Sequence, residues 1–322
     1  MQASTVAVCI CTFRRPAGLR HLLTCLASQT FNDVPAPEIS VIVADNEANP
    51  ENRRICSAFK QTHFRSLTYV QECRRGISWA RNACLDRVPA ETDFVAMIDD
   101  DEAPDSAWLN HLLLAQARSG ADVVVGPTYP EFPEGTPSWI KECGFFLKPE
   151  DPSRFKDLQA DPPAATCNVL VNAAIFSKPG LRFDTQLALS GGEDKLLFQD
   201  IKLRGYSFVW AASARVTEFI PGERATFGYM WREQYRRGSV KFYVKRRLKV
   251  SNRLKLMLLV PKFFARAVAT IFSGCYGVIA QLLRDRNDQA ALALSALAIA
   301  DGLGSVSGLL HLKNRHYLHQ EP

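Results

Sequence analysis

Acidic side chains are missing from one long stretch of this 322-residue chain: between Gln234 and Arg284 there is no Asp or Glu. Twelve Lys and Arg residues fall in the same stretch, so an overall net charge of +6 leaves the remainder of the chain at −6. The basicity is therefore local, and it runs into the most apolar part of the sequence. Zinc-type CxxC pairs are also lacking, which argues against a structural zinc site. The nine cysteines, an odd number, sit mostly singly in apolar segments such as Cys9, Cys11, Cys25 and Cys84, as buried reduced thiols do in a cytosolic compartment. The first apolar run, Val6 to Cys11, is too short and too closely followed by Arg14 and Arg15 for a signal peptide, so secretion is not expected. No GxxxxGK[ST] phosphate loop is present, and Thr12-Phe13-Arg14-Arg15-Pro16 stands where a dinucleotide fold would have its glycines. Gly302 to Gly308 only approximates such a fingerprint and lies far from any strand start. The basic run has no aromatic stacking platform or nucleic-acid-binding motif, so no nucleic-acid partner is expected.

What remains is 47% hydrophobic, enough for one large domain with an appendage. Strand-length apolar runs at Val6–Cys11, Ile39–Ala44, Leu67–Val70 and from Phe94 alternate with helical periodicity over Gly18–Gln29, Glu51–Gln61 and Ser78–Asp86. That alternation predicts an α/β fold with a mostly parallel central sheet flanked by helices. A helix over Ala107–Ser119 and strands at Asp122–Gly126 and Cys167–Val171 continue the pattern. Thr128 to Pro163, rich in Pro and carrying Trp139, Phe145 and Phe146, reads as a loop, either binding or packed by its own aromatics.

Ligands in such sheets bind beyond the carboxyl ends of the strands, where Thr12, Asp45 and Asp99-Asp100-Asp101-Glu102 all fall. Four consecutive acids repel unless a cation sits among them. Asp99 and Asp101 can converge on one Mg²⁺, an ion that takes one or two carboxylates and lets substrate phosphates complete its shell; a diphosphate substrate is the corollary. The plainer alternative is an acidic turn ahead of a helix N-terminus. A second stretch, Ser190-Gly191-Gly192-Glu193-Asp194, has two glycines that allow close backbone approach and two carboxylates at a helix start. Ser190 and Glu193 also have capping-box spacing. Asp194 suits a general base that takes a proton from an acceptor hydroxyl.

Together Cys11-Thr12-Phe13-Arg14-Arg15-Pro16, Val43-Ala44-Asp45-Asn46, Gly76-Ile77-Ser78-Trp79-Ala80-Arg81-Asn82, Asp99-Asp100-Asp101-Glu102 and Gly191-Gly192-Glu193-Asp194 with Phe198 resemble glycosyltransferase family 2. The similarity is greatest to bacterial exopolysaccharide transferases of the succinoglycan type, and it runs in order over about residues 5 to 238. The resemblance implies a GT-A fold and an inverting, metal-dependent hexosyltransferase. Asp45 would meet the base of a UDP-sugar, Thr12 and Arg14 would line its pocket, and Arg81 and Asp100 would lie beside the nucleotide, with Asn82 supporting the loop. Asp99 would face ribose or metal, Asp101 would be the direct ligand of Mg²⁺ or Mn²⁺, and Asp194 would be the catalytic base assisted by Glu193. Many relatives place a metal-binding His where this chain has Glu218, whose carboxylate can also bind such ions. The Gln-x-x-Arg-Trp of processive synthases is replaced by Gln234-Tyr235-Arg236-Arg237-Gly238, which argues for one sugar per encounter. Trp139 and Arg237 are weaker acceptor-side candidates.

The expected division is a transferase domain over 1–238, with a nucleotide half 1–102 and an acceptor half 103–238, followed by a basic, apolar helical region over 239–322. Ala267–Leu283 falls just short of a spanning length, and Asp301 would be costly at mid-bilayer. Helices lying on an anionic membrane surface are therefore expected, at the cytoplasmic face of the inner membrane and close to a lipid-linked saccharide acceptor. The rival from another class is a non-catalytic sugar-nucleotide-binding or assembly subunit of a polysaccharide-synthesis complex. A phosphatase built on Asp-x-Asp would need its acids after the first strand, where Thr12-Phe13-Arg14 stands.

Overall fold

The computed structural model describes residues 3–59, 64–148, 152–178, 180–249, 253–283 and 288–310. Its centre is a seven-stranded sheet in the order β3-β2-β1-β4-β8-β6-β9. Strands β1 (Thr5–Thr12), β2 (Glu38–Asp45), β3 (Ser66–Gln71) and β4 (Phe94–Asp99) are mutually parallel. Beyond them β8 (Val169–Asn172) runs antiparallel between β4 and β6 (Val123–Val125), and β9 (Phe208–Trp210) lies parallel to β6 at the edge. The sheet is mostly parallel, as the strand-helix alternation predicts. Ala7, Val8, Ile10, Val41, Val43, Ala44 and Ala96 are all fully buried, because helices cover both faces and leave no strand face to water.

On one face α1 (Pro16–Ala27) and α4 (Trp108–Ser119) bury Leu19, Leu22, Leu23, Trp108, Leu109 and Leu112 against the strands. On the other, α3 (Ile77–Leu85) and α6 (Glu193–Leu203) bury Ala80, Cys84, Leu197 and Ile201. Burial of side chains of this size stabilises by roughly 1.5–3 kcal/mol each, before conformational entropy is set against it. Pro16 begins α1, where its missing N–H is no loss. Helix α2 (Pro50–Phe59) follows β2; the expected extension to Gln61 lies outside the described residues. Strand register sets Thr12 opposite Asp45 and Cys11 opposite Asp99. The carboxyl ends of β1, β2 and β4 are thus level.

Two features depart from the sequence reading. Thr128 to Pro163 is not a plain loop: it holds β7 (Thr128–Glu131), α5 (Ser138–Glu142) and a short 3₁₀ turn at Pro152–Arg154, while residues 149–151 lie outside the described ones. β7 joins β5 (Glu102–Pro104) and β10 (Val216–Phe219) in a second, three-stranded sheet ordered β5-β10-β7. Strands of three or four residues carry too little periodicity to stand out in a sequence.

The chain also divides differently from the expected boundary at 238. One unit takes in the sheet up to Phe219, and the second takes residues 132–146, 189–192 and the chain from 220 onward. Helix α7 (Phe227–Lys249) runs unbroken through position 238. In the second unit, α9 (Gln289–Leu309) packs against both α7 and α8 (Arg253–Leu283). The α7 contact is backbone to backbone: a Cβ on Gly304 would stand 2.0 Å from the Tyr235 carbonyl oxygen, and one on Gly308 2.0 Å from that of Ser239. Asp301 is not stranded on this apolar helix, since both its oxygens lie 2.6 Å from Lys241 Nζ and Gln234 donates to it at 3.3 Å.

Candidate active site

Beyond the level strand ends, the polar residues form two linked groups. Asp45, at the end of β2, is fully buried. Its Oδ1 accepts from the backbone N–H groups of Glu47 and Ala48 at 2.9 and 3.1 Å, and its Oδ2 from Asn49 N, Asn52 Nδ2 and the Tyr69 hydroxyl at 2.8, 3.0 and 2.7 Å. Five donors on one carboxylate fix the turn after β2. The Asp45 carboxylate, expected to meet a base, is engaged by the chain itself and holds that turn. Asn46 extends the same network, donating to the carbonyls of Glu72 and Arg74 at 2.8 Å and accepting from Gly76 N at 2.7 Å.

The acidic turn after β4 is met by cations from the chain itself. Arg14 adopts a left-handed backbone conformation (φ 58°) between β1 and α1 and pairs with Glu47 at 2.8 Å. The next residue, Arg15, reaches Asp100 at 2.9 Å and Asp101 at 2.8 Å. Adjacent arginines are indistinguishable in a sequence until the backbone turn between them is known, and here Arg15, not Arg14, faces the acids. Burial pushes the Asp100 carboxyl up to about 6 against the pull of Arg15. Thr12 is buried beside it. Gly18 sits so near that a Cβ would stand 2.3 Å from the Asp100 carbonyl oxygen, which only glycine tolerates.

Arg81, on α3, links the two acidic stretches. Its guanidinium pairs with Asp99 at 3.4 Å and with Glu193 at the start of α6. Burial opposes the charge, but Glu193 and Asp99 outweigh it and hold the guanidinium above its ordinary range. Asn82, one residue on, exchanges hydrogen bonds with the backbone of Phe183, donating at 2.9 Å and accepting at 3.0 Å. Asp194 follows Glu193 and is half-buried; its Oδ1 accepts from Lys195 N at 2.6 Å. Arg81, Asp99 and Glu193 thus lie together on the α3 and α6 side of the sheet. A small recess there is lined by Cys9, Cys11, Arg81, Met97, Asp99 and Thr166.

The glycine pair ahead of Glu193 has another explanation than a ligand. Gly191 and Gly192 have φ of 74° and 87°, and a Cβ on Gly191 would stand 2.0 Å from Arg236 Nη1. That guanidinium donates to the Ser190 carbonyl at 2.6 Å and to Glu233. Gly191 admits an arginine of α7, and a Cβ on Gly192 would stand 3.0 Å from the Val240 side chain. Arg237 also pairs with Glu233, at 2.9 Å, and its guanidinium lies over the Phe145 ring. Trp139 packs with Phe227 beside a cluster of Ile140, Cys143, Phe146 and Met230. Both acceptor-side candidates are engaged within the second unit, which favours the self-packed alternative for this segment.

A metal held jointly by Asp99, Asp101 and Glu218 does not fit these side chains. Each carboxylate already faces a cation of the chain: Arg81, Arg15 and Lys148 respectively, the last at 2.7 Å. Among the described residues no three His, Cys, Asp or Glu side chains gather into a metal-ligand group. Lys148 is marked by no sequence motif, and Glu102 is the last acid of the cluster after β4. Lys148 lies on a segment that bridges to Thr128, and Glu102 is buried opposite Glu218, accepting from Asp99 N at 2.8 Å. Burial, reinforced by Asp99, pushes the Glu102 carboxyl well above the usual range. The pairing of β5 with β10 and of β10 with β7 brings these groups together.

A family model described as glycosyl transferase family 2 matches residues 7–179. The chain belongs to this family. It is 31% identical over 236 residues to the succinoglycan biosynthesis protein ExoM of Rhizobium meliloti (strain 1021), covering 71% of each chain. It is also 33% identical over 103 residues to ExoW of the same organism, 32% of this chain and 30% of that one. Among solved structures, the fold matches the mannosyltransferase PcManGT from Pyrobaculum calidifontis, in complex with GDP-Man and Mn²⁺, with a TM-score of 0.62 at 17% identity over 97% of this chain and 88% of that one. S. aureus TarS 1–349 in complex with UDP gives 0.52 at 14% identity over 94% and 90%. The fold is GT-A, and this family 2 protein is a glycosyltransferase.

Proposed function

We propose that this protein transfers a hexose from a UDP-sugar to a lipid-linked oligosaccharide, with inversion, in the assembly of an exopolysaccharide or another cell-surface glycan. The observation that carries the proposal is the Arg81 guanidinium, which ties Asp99 of the acidic turn to Glu193 at the start of α6. A donor on the Asp99 side would present its anomeric carbon to an acceptor hydroxyl on the Asp194 side. Asp194 takes the hydroxyl proton as the new glycosidic bond forms and the bond to the diphosphate breaks. Glu193 and Arg81 hold the flanking charges in place, and Thr12 and Arg14 border the donor pocket. The likeness to ExoM supports the exopolysaccharide assignment.

An anionic membrane surface at the cytoplasmic face is the proposed location, because it brings the site to a lipid-linked acceptor. Support comes from the second unit. Residues 257–283 and 289–309 are long and apolar enough to cross a membrane by length and composition alone. α9 is engaged by α7 and α8, whereas α8 exposes Met257, Leu258, Phe264, Phe272, Tyr276 and Ile279. Their spacing puts them on one stripe, and Lys262 and Arg266 fall at its flank, as in helices that lie in a bilayer interface.

Purified protein incubated with a panel of UDP-sugars should release UDP with at least one of them. Asp194→Asn should lower that rate by about 10²–10⁴-fold while leaving UDP affinity within about threefold. A non-catalytic assembly subunit would release no UDP with any donor, and Asp194→Asn would then change nothing.

A further inference from the structure

The family resemblance gives position 218 a metal-binding histidine, but in this protein a lysine fills the space in front of Glu218. Lys148 Nζ lies 2.7 Å from Glu218 Oε2. Glu218 lies on β10 directly opposite Glu102 on β5, and the next residue on β10, Phe219, donates from its backbone to the Asp101 carbonyl at 2.9 Å. Lys148 itself exchanges backbone hydrogen bonds with Thr128 at the start of β7, so the small sheet fixes all of these groups beside the acidic turn. The Glu218 side chain is only 7% exposed, whereas Lys148 keeps 32% of its side chain open. Glu218 Oε2 meets the Lys148 ammonium as an ion pair and, among the described residues, has no hydrogen-bond partner of its own, so the three N–H donors of that ammonium are not directed at Glu218. Glu102 Oε1 is buried with no hydrogen-bond partner among the described residues, which marks a polar space built for something more than the two carboxylates.

We propose that Lys148 is a resident cation of the donor site: anchored on Glu218, its ammonium binds the diphosphate of the nucleotide-sugar and takes up part of the work of a divalent metal. The proposal rests on the UDP-sugar assignment above. As the anomeric bond breaks, negative charge builds on the terminal phosphate oxygen, and an N–H of Lys148 stabilises it without giving up its proton. Nucleoside diphosphate binding then has a component that survives removal of metal.

The test is calorimetric titration of the full-length protein with UDP, once with Mn²⁺ and once with excess EDTA. Wild type should still bind UDP in EDTA, within about tenfold of its affinity in Mn²⁺. Lys148→Met combined with Glu218→Gln removes both charges together, so that neither is left buried alone. This double variant should weaken UDP binding in EDTA by about tenfold or more, the loss of one charged hydrogen bond, while uridine binding is unchanged. Lys148→Arg keeps the ion pair and should retain most of the metal-free affinity. The proposal is overturned if wild type binds UDP only with Mn²⁺, or if the double variant binds UDP in EDTA as wild type does. Binding of uridine without UDP in either buffer would sink the lysine's role while sparing the nucleotide pocket; no binding of UDP, GDP or uridine under any condition would sink the donor assignment as well.

Discussion

Replacing Arg81 by methionine should cost this protein more stability than any other single change at the site. The Arg81 side chain is 11% exposed and that of Glu193 4%, so water screens their ion pair very little. Asp99, at 3.4 Å, is a longer and more exposed partner. Methionine fills a similar volume but takes away the guanidinium that Glu193 faces, and removing one member of a buried pair costs about 3–5 kcal/mol. Glu193→Gln alone leaves Arg81 with Asp99 and a neutral hydrogen-bond acceptor, so the expected loss is about 1–3 kcal/mol. In the double variant both charges of the pair are gone, and its loss should fall short of the sum of the single losses by about 2 kcal/mol or more. Urea titration followed by tryptophan fluorescence on all four proteins measures the cycle. Losses that add within about 0.5 kcal/mol would refute the reasoning, because independent losses mean that Arg81 does not neutralise Glu193.

Further expectations concern the second unit. Burial raises the Glu233 carboxyl but Arg236 and Arg237 overcome it, lowering it from 4.5 to about 2. A depressed folded value adds stability above about pH 4.5 that disappears as pH falls towards 2. Glu233→Gln should therefore lower the melting temperature at pH 7, by an amount that shrinks on acidification to pH 3; a pH-independent difference would contradict the ion pairing. Gly191→Ala forces a left-handed residue and a methyl into the space of Arg236, and should lose about 1–2 kcal/mol on thermal unfolding. A neutral result would mean that Arg236 can swing away freely. Phe272→Ser with Tyr276→Ser should weaken co-sedimentation with phosphatidylglycerol vesicles by about tenfold or more, since each ring is worth about 1.5 kcal/mol or more when fully buried. Unchanged sedimentation would take α8 out of membrane contact.

The amino-acid sequence alone determined the strand-helix alternation, the mostly parallel sheet and the polar residues at the carboxyl ends of its strands. Those features rest on local periodicity and on apolar runs long enough to be read without knowing their neighbours. The candidate carboxylates were legible too, since acids interrupt apolar strands abruptly at Asp99 and open a helix at Glu193. Which charge answers which acid could not be read, because ion pairs join residues distant in sequence. Arg15 rather than Arg14 faces Asp100 and Asp101. Arg81 joins Asp99 to a residue more than a hundred positions away. Lys148 meets Glu218 only because short strands with no readable pattern pair as β5-β10-β7. Gly191 serves Arg236, and Asp301 finds Lys241, for the same reason. Local patterning sets where charge is placed along the chain; the tertiary fold alone decides how that charge is balanced.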